Sequence, residues 1–207
     1  MIVLASNSPR RKQLMAKITT EFYVVPSTAK EVTTAATPHD VARELACHKA
    51  LDVLAHLPAE QRAQATVVGC DTVVDVDNTV LGKPADEKEA GRMLHMLSDR
   101  THKVHTGYCV ASLDGIAVGV ATTDVTFRKL TDKDIDDYVA SGGPMDKAGA
   151  YGIQETDFVA SIGGSYDNVM GLPTETLAKL LKRITRSAMQ SGFVAAKIQF
   201  KSHISTI

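Results

Sequence analysis

The sequence predicts an α/β protein with a mixed central sheet flanked by helices. Three observations carry that expectation. Val-rich runs of strand length interleave with segments whose apolar residues recur at helical spacing. Two hydroxyl–proline pairs, Ser8-Pro9 and Thr37-Pro38, mark helix starts after extended or polar stretches. Two long strand-like runs meet at Asp114-Gly115, which adds a hairpin to strands that elsewhere interleave with helices.

Residues 2–5 read as a short buried strand. Ser8 then caps a helix that begins at Pro9 and carries Leu14, Met15 and Ile18 as its apolar stripe. Residues 22–25 read as a second strand, followed by a polar loop through Thr37. In the helix opened by Thr37-Pro38, Cys47, Ala50, Leu51 and Leu54 fall at i, i+3, i+4 and i+7 and predict its buried face; Pro58 ends it. Lys49 lies opposite that stripe, so periodicity alone reads it as solvated. Residues 65–76 form a Val-rich strand, with a turn at Asp77-Asn78 into 79–82. Asp86 and Glu89 start a helix whose core face is Ala90, Met93, Leu94 and Leu97. Strands are expected at 103–112 and 116–127, then a helix from Thr131 and Asp134 to about Ser141-Gly142-Gly143-Pro144. The Gly-rich stretch 145–171 reads as an irregular binding loop. Leu172-Pro173 precedes a last helix that buries Leu177, Leu180, Leu181 and Ile184. Beyond it, 194–200 is a candidate strand.

Composition narrows the function. The 207 residues are 44% hydrophobic and 23% charged, ordinary for a globular chain and unlike a disordered one. No apolar run approaches the ~18 residues of a membrane span, and Met1-Ile2-Val3-Leu4-Ala5-Ser6 lacks the basic start of a signal peptide. A net charge of −1, with 5% aromatics and no Trp, gives no case for nucleic acid binding. Charge is nevertheless uneven. After Glu175 come Lys179, Lys182, Arg183, Arg186, Lys197 and Lys201 with no acid, which reads as a solvated helix and basic tail or as a docking surface for an anion. Cys47, Cys70 and Cys109 form no CxxC pair, so structural zinc is not expected; isolated thiols suit a reducing cytoplasm.

Four segments could carry chemistry. In Ser6-Asn7-Ser8-Pro9-Arg10-Arg11 a strand runs into a helix N-terminus, where free N–H groups, hydroxyls and guanidinium forks suit a phosphate; an ordinary capped helix with surface arginines has the same sequence. Asp71 sits in the apolar run 67–74, costly there unless paired, hydrogen-bonded or metal-bound. It reads equally as a buried structural acid or as a general base or metal ligand. Lys83 in Leu81-Gly82-Lys83-Pro84 could meet a phosphate as a point charge, or be solvated. In 146–154 two glycines allow close backbone approach, and Gln154 can both donate to and accept from a base edge. His102 and His105 are three apart on a strand, hence on opposite faces, and are not read as a metal pair.

Together the runs LASNSPRR (4–11), GCDTVV (69–74), LGKP (81–84), AGAYGIQ (148–154) and GLP (171–173) resemble the Maf family of nucleoside triphosphate pyrophosphatases. The likeness spans roughly 2–183, and its AGAYGIQ form is similar to the subgroup acting on dTTP and UTP. It implies an elongated fold like that of inosine triphosphate pyrophosphatases, with two lobes around a deep cleft, in one domain over 1–186. Residues 187–207 are left as a basic C-terminal extension. It also implies a cytoplasmic homodimer that hydrolyses its nucleoside triphosphate substrate to monophosphate and pyrophosphate with Mg²⁺ or Mn²⁺, with no membrane or nucleic acid partner. Modified pyrimidine nucleotides belong to the same substrate class.

By the same resemblance, Asp71 is the proton acceptor, and Arg11, Thr72 and Gln154 bear on substrate choice. Ser8, Arg11, Lys49 and Lys83 lie on the phosphate side, and Glu31 joins Asp71 at the metal. The residue before Glu31 is Lys30, where the family often has another acid. Strand alternation puts Asp71 and Thr72 on opposite faces, so both are expected to reach one cleft only where the strand bends or ends. The alternatives are a pyrophosphatase clearing non-standard purine triphosphates and a regulatory nucleotide-binding protein linked to cell division, with slow turnover.

Overall fold

A computed structural model describes residues 1–184 of the 207. Seven strands form one sheet: β1 (Ile2–Leu4), β2 (Tyr23–Val24), β3 (Thr66–Val76), β4 (Thr79–Leu81), β5 (Thr101–Ser112), β6 (Gly115–Phe127) and β7 (Val159–Gly163). Their order is β2-β1-β3-β5-β6-β7, with β4 paired to β3. β1 runs parallel to β2 and β3, and the remaining pairs are antiparallel, so the sheet is mixed as expected. The helices are α1 (Pro9–Ala16), α2 (Pro38–His56), the single turn α3 (Ala59–Arg62), α4 (Glu87–Leu97), α5 (Asp132–Ala140), α6 (Tyr166–Val169) and α7 (174–184). The starts of the longer helices follow local chemistry. Ser8, Thr37, Asp86 and Thr131 each accept a backbone N–H three residues on, and Thr131 with Asp134 closes a full capping box. No described helix is long and apolar enough to cross a membrane.

Each face of the sheet has its own core. On one face α2 packs Ala46, Ala50 and Val53 against Val3, Val67 and Cys109. On the other, α4 and α5 pack with the segment around Tyr151 against Val74, Val104, Val125 and Phe127. Within α7, Leu177 and Leu181 are buried, while Leu180 and Ile184 are half-buried.

The buried face of α2 differs from the expected one. It runs through Val41, Ala42, Leu45, Ala46, Ala50, Val53 and Leu54, and Leu51 is exposed. The reason lies in the sheet beneath. Gly69 of β3 and Gly107 of β5 present no side chains there, so α2 lies backbone-close. A Cβ on Gly69 would stand 2.7 Å from the Ala50 nitrogen, and one on Gly107 2.7 Å from the Arg43 nitrogen. Small residues therefore mark the contact, and the face is rotated toward Lys49.

Two other segments depart from expectation. The stretch 145–171 is not wholly irregular, because Val159–Gly163 forms β7 against β6. β3 does not end at Asp71; it stays in register with β5 from Val67 to Asp75. Its other edge is what changes. β1 stops opposite Val68, and β4 pairs only from Val74, so residues 69–73 have no described strand on that side. The candidate strand 194–200 and the basic extension 187–207 lie outside the described residues.

Gly107→Ala should lower stability by about 1–3 kcal/mol through overpacking against α2, read as a lower midpoint in urea. Gly82→Ala, whose new Cβ meets nothing, should stay within about 1 kcal/mol of the parent.

Candidate active site

A cleft of about 540 Å³ opens at the free edge of β3. Because no described strand covers that edge, side chains from both faces of β3 reach it. Ser8, Arg11, Glu31, Lys49, Asp71, Thr72, Lys83 and Gln154 all line it. The five sequence runs that carry the family resemblance meet here, although they span positions 4 to 173 of the chain.

On the α2 face, Asp71 is buried and its Oδ1 accepts from Lys49 Nζ at 2.5 Å. The same ammonium lies 2.7 Å from Glu31 Oε1. Lys49 is therefore not solvated, as periodicity suggested; its side chain is only 14% exposed. The hydrogen bond from Lys49 holds the Glu31 carboxyl below its usual range, against the opposing effect of burial. The charges of Lys49, Lys83 and Arg11 act in the same direction.

On the opposite face, Arg11 donates from Nη2 to Thr72 Oγ1 at 3.0 Å and from Nε to the Gly171 carbonyl at 2.8 Å. Thr72 also shares a hydrogen bond with Thr106 at 3.0 Å. Gly171 has φ +110°, and a Cβ there would press on Thr72 and Arg11. The glycine thus leaves room for the guanidinium at the cleft wall. Ser8 Oγ accepts from the Arg11 N–H as the helix cap, which leaves its hydroxyl proton free to donate. Lys83 is exposed and makes no ion pair among the described residues. Gln154 is exposed at the cleft, with Nε2 donating to Glu155 Oε1 at 3.0 Å.

Two contacts escape the sequence reading. Arg10, a phosphate candidate there, pairs instead with Asp146 at 3.0 Å. Lys147 is buried, with its ammonium between Asp146 Oδ1 at 2.7 Å and Glu155 Oε2 at 3.0 Å. These pairs tie the start of α1 to the 146–155 segment. The adjacency of Lys147 to the Gly-rich run was the available signal. His102 and His105 do face opposite sides: His102 meets Tyr151 Oη at 2.9 Å, and His105 lies 3.2 Å from Asp75.

Among the described residues, no group of three or more His, Cys, Asp or Glu side chains could hold a metal. Asp71 and Glu31 offer two hard oxygen donors converging on one cation, here the Lys49 ammonium. That donor set fits a Mg²⁺-type ion only where phosphates and water complete the shell.

A family model for Maf-like proteins matches residues 1–184. The chain belongs to the Maf-like family. Its relatives include a dTTP/UTP pyrophosphatase of Thermococcus gammatolerans, 50% identical over 87% of this chain and 95% of the relative. Another, of Agathobacter rectalis and of the same name, is 43% identical over 88% of this chain and 97% of the relative. The Staphylococcus aureus Ham1 structure aligns at TM-score 0.45 and 15% identity, over 87% of this chain and 97% of that one.

The cleft loop of this Maf-like protein is anchored by the His102–Tyr151 contact. Burial pushes His102 down to about 4, and its Nδ1 has no hydrogen-bond partner among the described residues. The unfolded chain, with an ordinary His pKa near 6.5, takes up this proton first. The contribution is therefore fully present above pH 6.5 and is lost as pH falls toward 4, about 3 kcal/mol in all. Urea midpoints across that window should fall with acid, and His102→Phe should flatten the slope.

Proposed function

We propose that this Maf-like protein hydrolyses dTTP and UTP, and modified pyrimidine triphosphates of the same edge chemistry, to monophosphate and pyrophosphate by water attack at the α-phosphorus. One observation carries the reading: a buried carboxylate, Asp71, faces a cleft whose other charged lining includes Arg11, Lys49 and Lys83. Cations that outnumber carboxylates suit a polyanion, and the buried acid among them suits proton transfer. The names of the relatives support the substrate.

In this reading Asp71 orients the attacking water and accepts its proton. Arg11 arrives pre-oriented by Thr72 and Gly171, with donor capacity left for a phosphate oxygen. Lys83, without an ion pair of its own, meets the outer phosphates, and the Ser8 hydroxyl donates beside it. Lys49 serves the same charge once it leaves its carboxylates. Asp71 and Glu31 would hold Mg²⁺ or Mn²⁺. When bound, that ion neutralises phosphate charge and acidifies water. Most of the rate gain is positioning and electrostatics, as in other phosphoryl transfers.

A uracil or thymine edge offers acceptor, donor, acceptor. Glu155 accepts only, so it turns the amide nitrogen of Gln154 toward itself and leaves Oε1 to receive the N3–H of the base. The proposal extends to a homodimer in the cytoplasm, where a reducing environment suits the free thiols Cys47, Cys70 and Cys109.

Pyrophosphate release measured on dTTP, UTP, CTP and GTP with Mg²⁺ should favour the first two. Asp71→Asn should cost about 10²–10⁴ in kcat. Orthophosphate without pyrophosphate would contradict the reaction.

A further inference from the structure

Lys49 occupies the position that a cation bridging the two cleft carboxylates would take. Its ammonium contacts Glu31 Oε1 at 2.7 Å and Asp71 Oδ1 at 2.5 Å, and these are its only ion pairs among the described residues. We propose that Lys49 is the resident cation of the free enzyme: it keeps Mg²⁺ and Mn²⁺ out of the Asp71–Glu31 site, so that the metal enters together with the triphosphate. The inference rests on the reading of Asp71 and Glu31 as the metal-side carboxylates.

Three features support it. First, the ammonium is held in place by the fold. Lys49 lies on the stretch of α2 that sits backbone-close on Gly69, two residues from Asp71 on the same face of β3. Its side chain is mostly buried, which limits retreat to solvent. A dication between the two carboxylates would have to share that space with a like charge. Second, among the described residues no third His, Cys, Asp or Glu joins these two carboxylates in a group that could hold a metal, which leaves them short of what a hard cation needs without phosphate oxygens. Third, a triphosphate solves both problems at once. Its oxygens offer Lys49 new acceptors, which frees the carboxylates, and they supply the missing metal ligands. Lys83 and Lys49 thus differ: Lys83, with no ion pair among the described residues, waits for an anion, whereas Lys49 changes partners.

The test is a Mn²⁺ titration of the nucleotide-free protein, with free Mn²⁺ read by electron paramagnetic resonance. Parent, Lys49→Met, Lys49→Gln and the surface control Lys103→Met are compared, each with and without a non-hydrolysable α,β-methylene analogue of dTTP. The parent and the control should bind Mn²⁺ weakly alone and tightly with the analogue. Either Lys49 variant should bind Mn²⁺ without nucleotide at least about tenfold more tightly than the parent, since an opposing charge is gone. Adding Glu31→Gln and Asp71→Asn to the folded Lys49 variant should erase that gain. Unchanged or weaker Mn²⁺ binding in the Lys49 variants overturns the inference, as does a gain that survives loss of both carboxylates. Should both variants fail to fold, the parent decides: Mn²⁺ binding to the nucleotide-free protein as tight as in the presence of analogue overturns the inference, and a shift of the Lys49 ammonium resonance on adding analogue without metal supports it, whereas an unmoved resonance overturns it. Absence of pyrophosphate release from dTTP would sink the proposed activity instead, because the nucleotide-free titration needs no turnover.

Discussion

The close seat of α2 on the sheet is the constraint from which the cleft follows. Gly69 precedes Asp71 by two residues on the same face of β3, and Gly107 sits directly across from it on β5. Neither leaves room for a side chain beneath the helix. With α2 that low, Lys49 reaches Asp71 in the buried layer, and the acid gains the partner its burial demands. Removing only one member of such a pair leaves an uncompensated buried charge, typically worth about 3–5 kcal/mol. The two glycines, the three alanines of the helix face and the ion pair therefore act as one device. It makes a costly carboxylate tolerable in a strand and keeps it available at the rim.

A second constraint lies in the sheet itself. A continuous strand separates its odd and even residues into different layers, yet the cleft draws on both Asp71 and Thr72. The interruption belongs to the neighbours of β3: β1 ends before the site and β4 starts after it. The exposed edge becomes the floor, with Asp71 and Lys49 on one side and Thr72 and Arg11 on the other. The loops around the gap bring Lys83 and Gln154 to the cleft. An open edge is a hazard for aggregation elsewhere; here it is lined by charge.

Much of this was legible in the sequence because it is local. Ser8, Thr37, Asp86 and Thr131 cap helices through contacts three residues away, so the residue types alone reveal the starts. Strand alternation correctly separated His102 from His105. The cleft residues could be named because their motifs occur in family order, not because any single run was decisive. What remained hidden depends on distant contacts. The buried face of α2 meets the sheet most closely through Ala42, Ala46 and Ala50, which a hydrophobic pattern ranks below Leu51, and Gly69 and Gly107 beneath explain the choice. That misjudged face also made Lys49 look solvated. Arg10 gave no sign that it would pair with Asp146, more than a hundred residues on. The edge strand Val159–Gly163 was obscured by the Gly-rich composition around it.

The proposed reaction has water held by Asp71 and delivered to the α-phosphorus of a nucleotide whose phosphates face the cleft cations. Hydrolysis of dTTP in ¹⁸O-labelled water tests that claim most directly. The account predicts the label in the thymidine monophosphate and unlabelled pyrophosphate. Label in the pyrophosphate would mean attack at the β-phosphorus, and would contradict the placement of Asp71 as the base.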